Sequence, residues 1–127
     1  MQRSAKTLLI TSLFALAMAA SPVHAQLPAP YDGNLQRLAE IMGALHYLRG
    51  LCGANDGQKW RTEVQALIDA EAPTGERRAR MIASFNRGYR GFQQSYRTCT
   101  PAAGIVIRRY LEEGSRIARE VTARYGN

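Results

Sequence analysis

The segment NRGYRGFQQSYRTC, residues 86–99, combines three arginines with three aromatic residues. Guanidinium groups form paired hydrogen bonds to phosphate or carboxylate oxygens, so this composition could bind an anion. In a helix, Arg87, Arg90 and Arg97 would share one face about 150° from the aromatic residues, because 3.6 residues complete a turn. We expect this face to be exposed and to be the candidate surface for an anion or an acidic partner. The alternative is a face that is only solvated.

A nucleic acid is excluded as the partner of this segment. The letters RGYRGF resemble the start of the RNA-recognition signature, but Arg90 stands where that signature requires Gly or Ala. The signature also belongs on a strand, whereas the surrounding pattern is helical.

The remaining faces of the same helix predict packing. Aromatic residues at helical spacing form one stripe that we expect in the core: Phe85, Tyr89, Phe92 and Tyr96. Small residues form a second stripe: Ser84, Gly88, Gly91 and Ser95. Because glycine destabilises a helix relative to alanine, this stripe predicts a close approach of another helix. The expected counterparts on the first helix are Ala39, Gly43 and Gly50.

Catalytic, metal and cofactor chemistry find little support in the sequence. His46 lies at the rim of an apolar face without a matched nucleophile, so we expect a packed residue with one satisfied nitrogen. Arg49 falls within an apolar arc, where it either extends its charged head to water or meets an internal anion or carboxylate. No Cys-x-x-Cys pair or paired acid and base is apparent. We therefore predict a protein that is not an enzyme and has no catalytic residue, metal or cofactor.

The first 25 residues have the pattern of a secretory signal peptide. Arg3 and Lys6 precede an uncharged run, and VHA supplies small residues before a cleavage point after Ala25. The run is too short for a membrane span, which needs about 20 apolar residues. We expect an exported, periplasmic chain beginning at Gln26, with no transmembrane segment in the mature form.

Charge and cysteine content fit that setting. The full chain has 17 basic and 10 acidic residues, a net charge of +7. Without residues 1–25 the net charge is +5, and Lys59 is the one lysine left. Genome composition is the alternative explanation of the arginine excess. In an oxidising compartment, Cys52 and Cys99 are expected to form a disulfide.

Four helices account for the rest of the chain, with residues 26–31 as a short extended segment and 32–127 as one helical domain. The first helix is expected to have Asp32 as its N-cap and to stop at Gly53. The second starts after Asp56 and ends before Pro73, the third runs from a cap at Thr74 through Tyr96, and the fourth follows Thr100-Pro101 to about Arg124.

The fourth helix should bury one apolar face: Val106, Ile107, Tyr110, Leu111, Ile117, Ala118 and Val121. Its other side should carry two exposed ion pairs, Arg109 with Glu113 and Glu112 with Arg116. Short links predict that neighbouring helices run antiparallel. The fold class is therefore all-α, a small four-helix bundle-like domain tied by one disulfide.

Four segments resemble a family of small, functionally uncharacterised secreted proteins from alpha-proteobacteria: RLAEIMGALHYLRGLCG, KWRTEVQALIDAEAP, RRARMIASFNRGYRGFQQSYRTCTPAA and IRRYLEEGSRIARE. The resemblance covers nearly all of the mature chain, and its most specific part is the segment FNRGYRGFQQSYRTCTP. It implies a periplasmic setting in a Gram-negative cell and transfers no catalytic residue. The expected function is non-enzymatic binding of an anionic envelope component or acidic periplasmic protein. The alternative is a purely structural or chaperone-like helical module.

Overall fold

The computed structural model describes residues 28–126, so the predicted signal peptide and its cleavage point lie outside the described part of the chain. Within it there are four helices and no strand: α1 (Asp32–Leu51), α2 (Gly57–Glu71), α3 (Gly75–Ser95) and α4 (Pro101–Tyr125). The all-α fold class is confirmed. No helix in this part of the chain is long and apolar enough to cross a membrane.

α1 is the central helix of the domain. The other three helices pack against it, α2 also contacts α3, and the backbone of α4 approaches that of α1 alone. Residues around most of the circumference of α1 are buried: Leu35, Ala39, Ile41, Gly43, Ala44, Leu45 and Leu48. The reason is that neighbours on three sides exclude water from this helix.

The helices alternate in direction along the chain, as the short links predicted. Contacts pair Asp32 with Arg77 at the start of α1 and α3, and Cys52 with Cys99 at their ends, so these two helices are parallel. The ring contact of Tyr31 with Tyr125 shows that α4 runs opposite to α1.

Two apolar clusters lie on different sides of α1. One joins α1 to α2 and α3 through Leu35, Ala39, Val64, Ile68, Ala72 and Met81. The other joins α1 to α4 through Ile41, Leu45 and Ile117, with half-buried residues including Trp60 around them. On α4, Ile117 is buried as predicted, but Ala118 is exposed. Ala118 stays open to solvent because α2 and α4 do not contact one another and a cavity lies between them.

Local signals act as predicted at two helix ends. Thr100 Oγ1 accepts a hydrogen bond from the Ala103 amide at 3.2 Å, the cap that the Thr-Pro pair predicted. Gly53 follows α1 with a φ of 82°, a conformation that glycine adopts without steric cost and that stops the helix. Thr74 precedes α3, but its side chain makes no capping bond.

Asp32 differs from its predicted role. The N-cap is Tyr31 and Asp32 is the first helical residue, so α1 begins one residue earlier than predicted. Its carboxylate accepts a 3.0 Å hydrogen bond from the Ala29 amide and a 2.7 Å one from Arg77 Nη2. The carboxylate therefore secures both the turn before α1 and the start of α3.

A second ion pair attaches α4 to α1. Arg37 donates two hydrogen bonds to the Glu113 carboxylate, from Nε at 2.8 Å and Nη2 at 2.9 Å. The predicted pairing of Glu113 with Arg109 is wrong, because the guanidinium of Arg37 offers this carboxylate two parallel donors from the facing helix. Likewise Arg116 pairs with Glu120, at 2.9 Å, and not with Glu112.

The carboxylates of Asp32 and Glu113 should make the stability of the protein depend on pH. Hydrogen bonds from Arg77 and from Arg37 lower the pKa of Asp32 and of Glu113, respectively, below their ordinary values. Such groups stabilise the folded state above their unfolded pKa, and this stabilisation is lost as pH falls through the lowered pKa. In urea unfolding at pH 6 and pH 3, we expect Asp32→Asn/Glu113→Gln to lose less stability on acidification than wild type.

The control for that measurement is Glu63→Gln, since Glu63 is exposed and has no ion-pair partner among residues 28–126. Its loss on acidification should match that of wild type. An equal loss in wild type and in Asp32→Asn/Glu113→Gln would contradict the assignment.

Candidate functional site

The predicted arginine face is carried by the second half of α3. This helix turns its aromatic residues inward, where Phe92 meets Tyr110 edge-to-face at 5.6 Å between ring centres. Arg87 and Arg90 therefore point away from the core, and both are exposed. Arg90 has no acidic partner among the residues that the structure describes, so its guanidinium is available to an external anion.

Arg87 is less available than its exposure indicates. Its Nη2 lies 3.4 Å from Glu40 Oε2 on α1 and 3.3 Å from Ser84 Oγ. Glu40 also lies 3.5 Å from Arg37, which holds Glu113. Arg87 thus ends a chain of ion pairs that connects α3, α1 and α4.

Arg97 does not belong to the helical face. α3 ends at Ser95, and Tyr96 is extended with φ and ψ of −118° and 119°. The helix ends one residue earlier than predicted, so helical geometry does not set the direction of Arg97. The residue lies in the link to α4, where it is exposed and has no acidic partner among residues 28–126.

Arg49 binds a carboxylate of its own chain. Its Nε lies 2.6 Å from Asp56 Oδ2, and each side chain is 29% exposed. Of the two alternatives from the sequence, the internal carboxylate partner is the one observed. The ion pair joins the end of α1 to the residue before α2, so Arg49 is a structural contact in this state.

His46 packs as the sequence predicted. Its Nδ1 lies 2.5 Å from the Gly57 carbonyl oxygen, and its ring contacts Phe85 and Tyr89. Neighbouring Tyr47 donates its hydroxyl to the Tyr96 carbonyl. Between residues 28 and 126, no group of three or more His, Cys, Asp or Glu side chains could hold a metal ion.

The net positive charge lies at one end of the molecule, because acidic side chains are scarce there. The disulfide joins Cys52 to Cys99, with Cα atoms 4.9 Å apart, and marks this end. If each helix is divided at its middle, the disulfide half holds eight basic and three acidic residues, and the other half seven of each. The net charge of the described chain, +5, therefore belongs to the disulfide half.

Most of the cations that lack an acidic partner in the described part of the chain also lie in the disulfide half. Among residues 28–126, the ion pairs leave eight cations without an acidic partner: Lys59, Arg61, Arg90, Arg97, Arg108, Arg109, Arg119 and Arg124. The first six lie in the disulfide half, and we name them the basic end. Two helix N-termini and two C-termini meet there, so their dipoles largely cancel and the side chains set the potential.

Sequence reasoning found two members of the basic end, Arg90 and Arg97, and missed the other four. These four residues could have been predicted, because helices that alternate in direction bring the starts of α2 and α4 beside the ends of α1 and α3. Counting charge in each half of each helix would have identified Lys59, Arg61, Arg108 and Arg109.

Comparison with known proteins identifies the family of the chain. No curated protein and no solved structure shows significant similarity to the chain. Residues 30–125 match a family described as a protein of unknown function, DUF2385. The matched range covers all four helices and the disulfide. The chain therefore belongs to the DUF2385 family.

Proposed function

We propose that this protein is a non-enzymatic periplasmic component of the cell envelope that binds an anionic envelope component or an acidic protein partner. The observation that carries the proposal is the basic end, where six cations lack acidic partners among residues 28–126. Clustered charge of one sign produces a potential that attracts and orients oppositely charged partners.

The chemistry of these side chains favours oxygen anions. Five of the six are arginines, whose planar guanidinium groups form paired hydrogen bonds to phosphate or carboxylate. The basic end keeps Arg90 and Arg97 of the predicted arginine face and leaves out Arg87, which lies 3.4 Å from Glu40. Arg49, the separate candidate from the sequence, pairs with Asp56.

The signal-peptide pattern of residues 1–25 supports the periplasmic setting. Non-enzymatic binding agrees with the state of the titratable groups. His46 is engaged by a backbone carbonyl, and seven of the ten carboxylates take part in ion pairs.

Vesicles of phosphatidylglycerol and phosphatidylcholine test the proposal. We expect purified wild-type protein to co-sediment with them and to dissociate as salt rises, because salt screens exposed charges. Each basic residue near an anionic surface contributes about 1 kcal/mol, so Arg90→Glu/Arg97→Glu should weaken binding at least thirtyfold.

The matched control is Arg119→Glu/Arg124→Glu. It makes the same change in net charge at cations that also lack partners in residues 28–126, but in the opposite half of the molecule. This variant should bind within about twofold of wild type. Equal losses of binding in both variants would indicate only a response to net charge and would refute the assignment of binding to the basic end.

An acidic protein partner is tested by replacing the vesicles with poly-L-glutamate. Binding to both probes would indicate general recognition of anions, and binding to one would identify phosphate or carboxylate as the preferred group. If wild type binds neither probe, the proposal fails and the structural or chaperone-like module is the better description.

A further inference from the structure

The first turns of α4 have an exposed face on the side away from the core. Because each residue turns a helix by about 100°, five exposed residues fall within an arc of about 120° there. We name them the α4 face: Pro101, Ala102, Ile105, Arg108 and Arg109. The other side of the helix packs on α1, since a Cβ atom at buried Gly114 would lie 3.4 Å from Ile41. The backbone of α4 contacts no other helix of residues 28–126, so no helix of the described chain covers the α4 face.

Ile105 lies at the centre of the α4 face and is 43% exposed. Residues three and four positions away are its neighbours on the helix surface. Towards the start of α4 these neighbours are the apolar residues Pro101 and Ala102. In the other direction they are Arg108 and Arg109, which have no acidic partner among residues 28–126. The α4 face therefore combines exposed apolar side chains with cations that no carboxylate of the described chain neutralises.

We propose that the α4 face docks the protein onto the surface of an anionic phospholipid bilayer. Ile105 enters the headgroup region, and Arg108 and Arg109 donate hydrogen bonds to lipid phosphates. Apolar burial and electrostatic attraction act together when a helix binds at a membrane surface, and arginine forms paired hydrogen bonds with phosphate oxygens. The proposal rests on the proposed function, because it names the anionic component that the basic end binds.

The composition of the α4 face favours a bilayer over an acidic protein segment. A flexible polyanion would pair with the cations but leave Ile105 in water, whereas a bilayer surface accepts an apolar side chain beside its phosphates. A bilayer also extends beyond the α4 face, so its potential acts on the other cations of the basic end. Lys59 and Arg61 on α2 and Arg90 on α3 are such cations, and each basic residue near an anionic membrane surface adds to the attraction.

Ile105→Asn tests the apolar contact in co-sedimentation with vesicles of phosphatidylglycerol and phosphatidylcholine. Because less apolar surface would leave water on binding, this variant should bind vesicles about fivefold more weakly than wild type. Ile82→Asn is the matched control, since Ile82 is 41% exposed but lies in the half opposite the disulfide. It should bind vesicles as tightly as wild type. Equal binding by Ile105→Asn and wild type, or equal losses in the two variants, would overturn the proposal.

Poly-L-glutamate separates this proposal from the proposed function. Ile105→Asn should bind this polyanion as tightly as wild type, because it keeps every cation of the basic end. Arg90→Glu/Arg97→Glu should weaken binding to both probes. If wild type binds neither vesicles nor poly-L-glutamate, both proposals fail. If it binds poly-L-glutamate but not vesicles, the proposed function stands, the bilayer proposal fails, and an acidic protein is the better partner.

A tryptophan placed at position 105 would report directly on contact with lipid, because the protein contains one tryptophan, Trp60, which can be replaced. In Trp60→Phe/Ile105→Trp, vesicles should shift the emission to shorter wavelength, and brominated phosphatidylcholine in the vesicles should quench it. Trp60→Phe/Ile82→Trp has the same composition and should show neither change. Emission from position 105 that stays unchanged on vesicles, or that changes as much as emission from position 82, would overturn the proposal.

Discussion

Replacing Gly88 by alanine is expected to destabilise the protein by about 3 kcal/mol, near the upper end of what overpacking a core costs. Gly88 is buried where α3 crosses α1. A Cβ atom there would overlap the carbonyl group of Glu40 and lie 3.1 Å from the Ala44 nitrogen. Both obstacles are backbone atoms, so the two helices would have to move apart. Urea unfolding measures the loss.

Gly91→Ala is the control for this prediction, because it adds the same methyl group one turn later on α3. A Cβ atom at Gly91 would have no atom within 4 Å beyond its own helix and chain neighbours. This variant should be more stable than wild type by up to about 1 kcal/mol, since alanine favours helix over glycine. A Gly88→Ala variant as stable as wild type would disprove the close contact.

Gly88 and Gly91 show how far the contact predicted from the spacing of small residues extends. The spacing of small residues correctly indicated that α1 and α3 approach closely, and Gly43 has Phe85 backbone atoms where its Cβ would be. The same spacing extended the contact to Gly50 and Gly91, which have open space around them. The contact ends earlier because tyrosines separate the helices there, with the rings of Tyr47 and Tyr89 in edge contact.

Two of the helix ends were predictable from local sequence, whereas the ion pairs between helices were not. Thr100 and Gly53 act on neighbouring backbone groups, so their types and positions were sufficient. The partner of Glu113 depends on which helix lies opposite it, and that information is absent from the spacing of charges on α4. For the same reason the arginine face was predicted from α3 alone, and the contributions of α2 and α4 to the basic end were missed.

The pattern of apolar residues in α1 also did not predict the central position of this helix. The helix carries small residues on the sides that face α2 and α3, and small residues contribute weakly to an apolar period. Ala39 and Ala44 are completely buried. The small residues of α3 predicted a contact with Ala39, whereas no pattern in the sequence predicted the burial of Ala44.

Breaking the disulfide is expected to lower the free energy of unfolding by about 4 kcal/mol, because the bond closes a long loop in the unfolded chain. The bonded cysteines are 47 positions apart and enclose α2 and α3. For a domain of about 100 residues, a change of this size corresponds to roughly 20 °C in melting temperature. The folded structure should persist at low temperature, since most of the effect acts on the unfolded state.

The disulfide also restrains α4 in the folded state. The bond fixes the residue before Thr100 to the end of α1, and the backbone of α4 packs against α1 alone. In Cys52→Ser/Cys99→Ser, hydrogen exchange should therefore accelerate first in the early turns of α4. Melting followed by circular dichroism should show the large decrease in this variant and in reduced wild type. Added reductant should leave the melting temperature of the variant unchanged, and an equal melting temperature for oxidised and reduced wild type would exclude any contribution of the bond to stability.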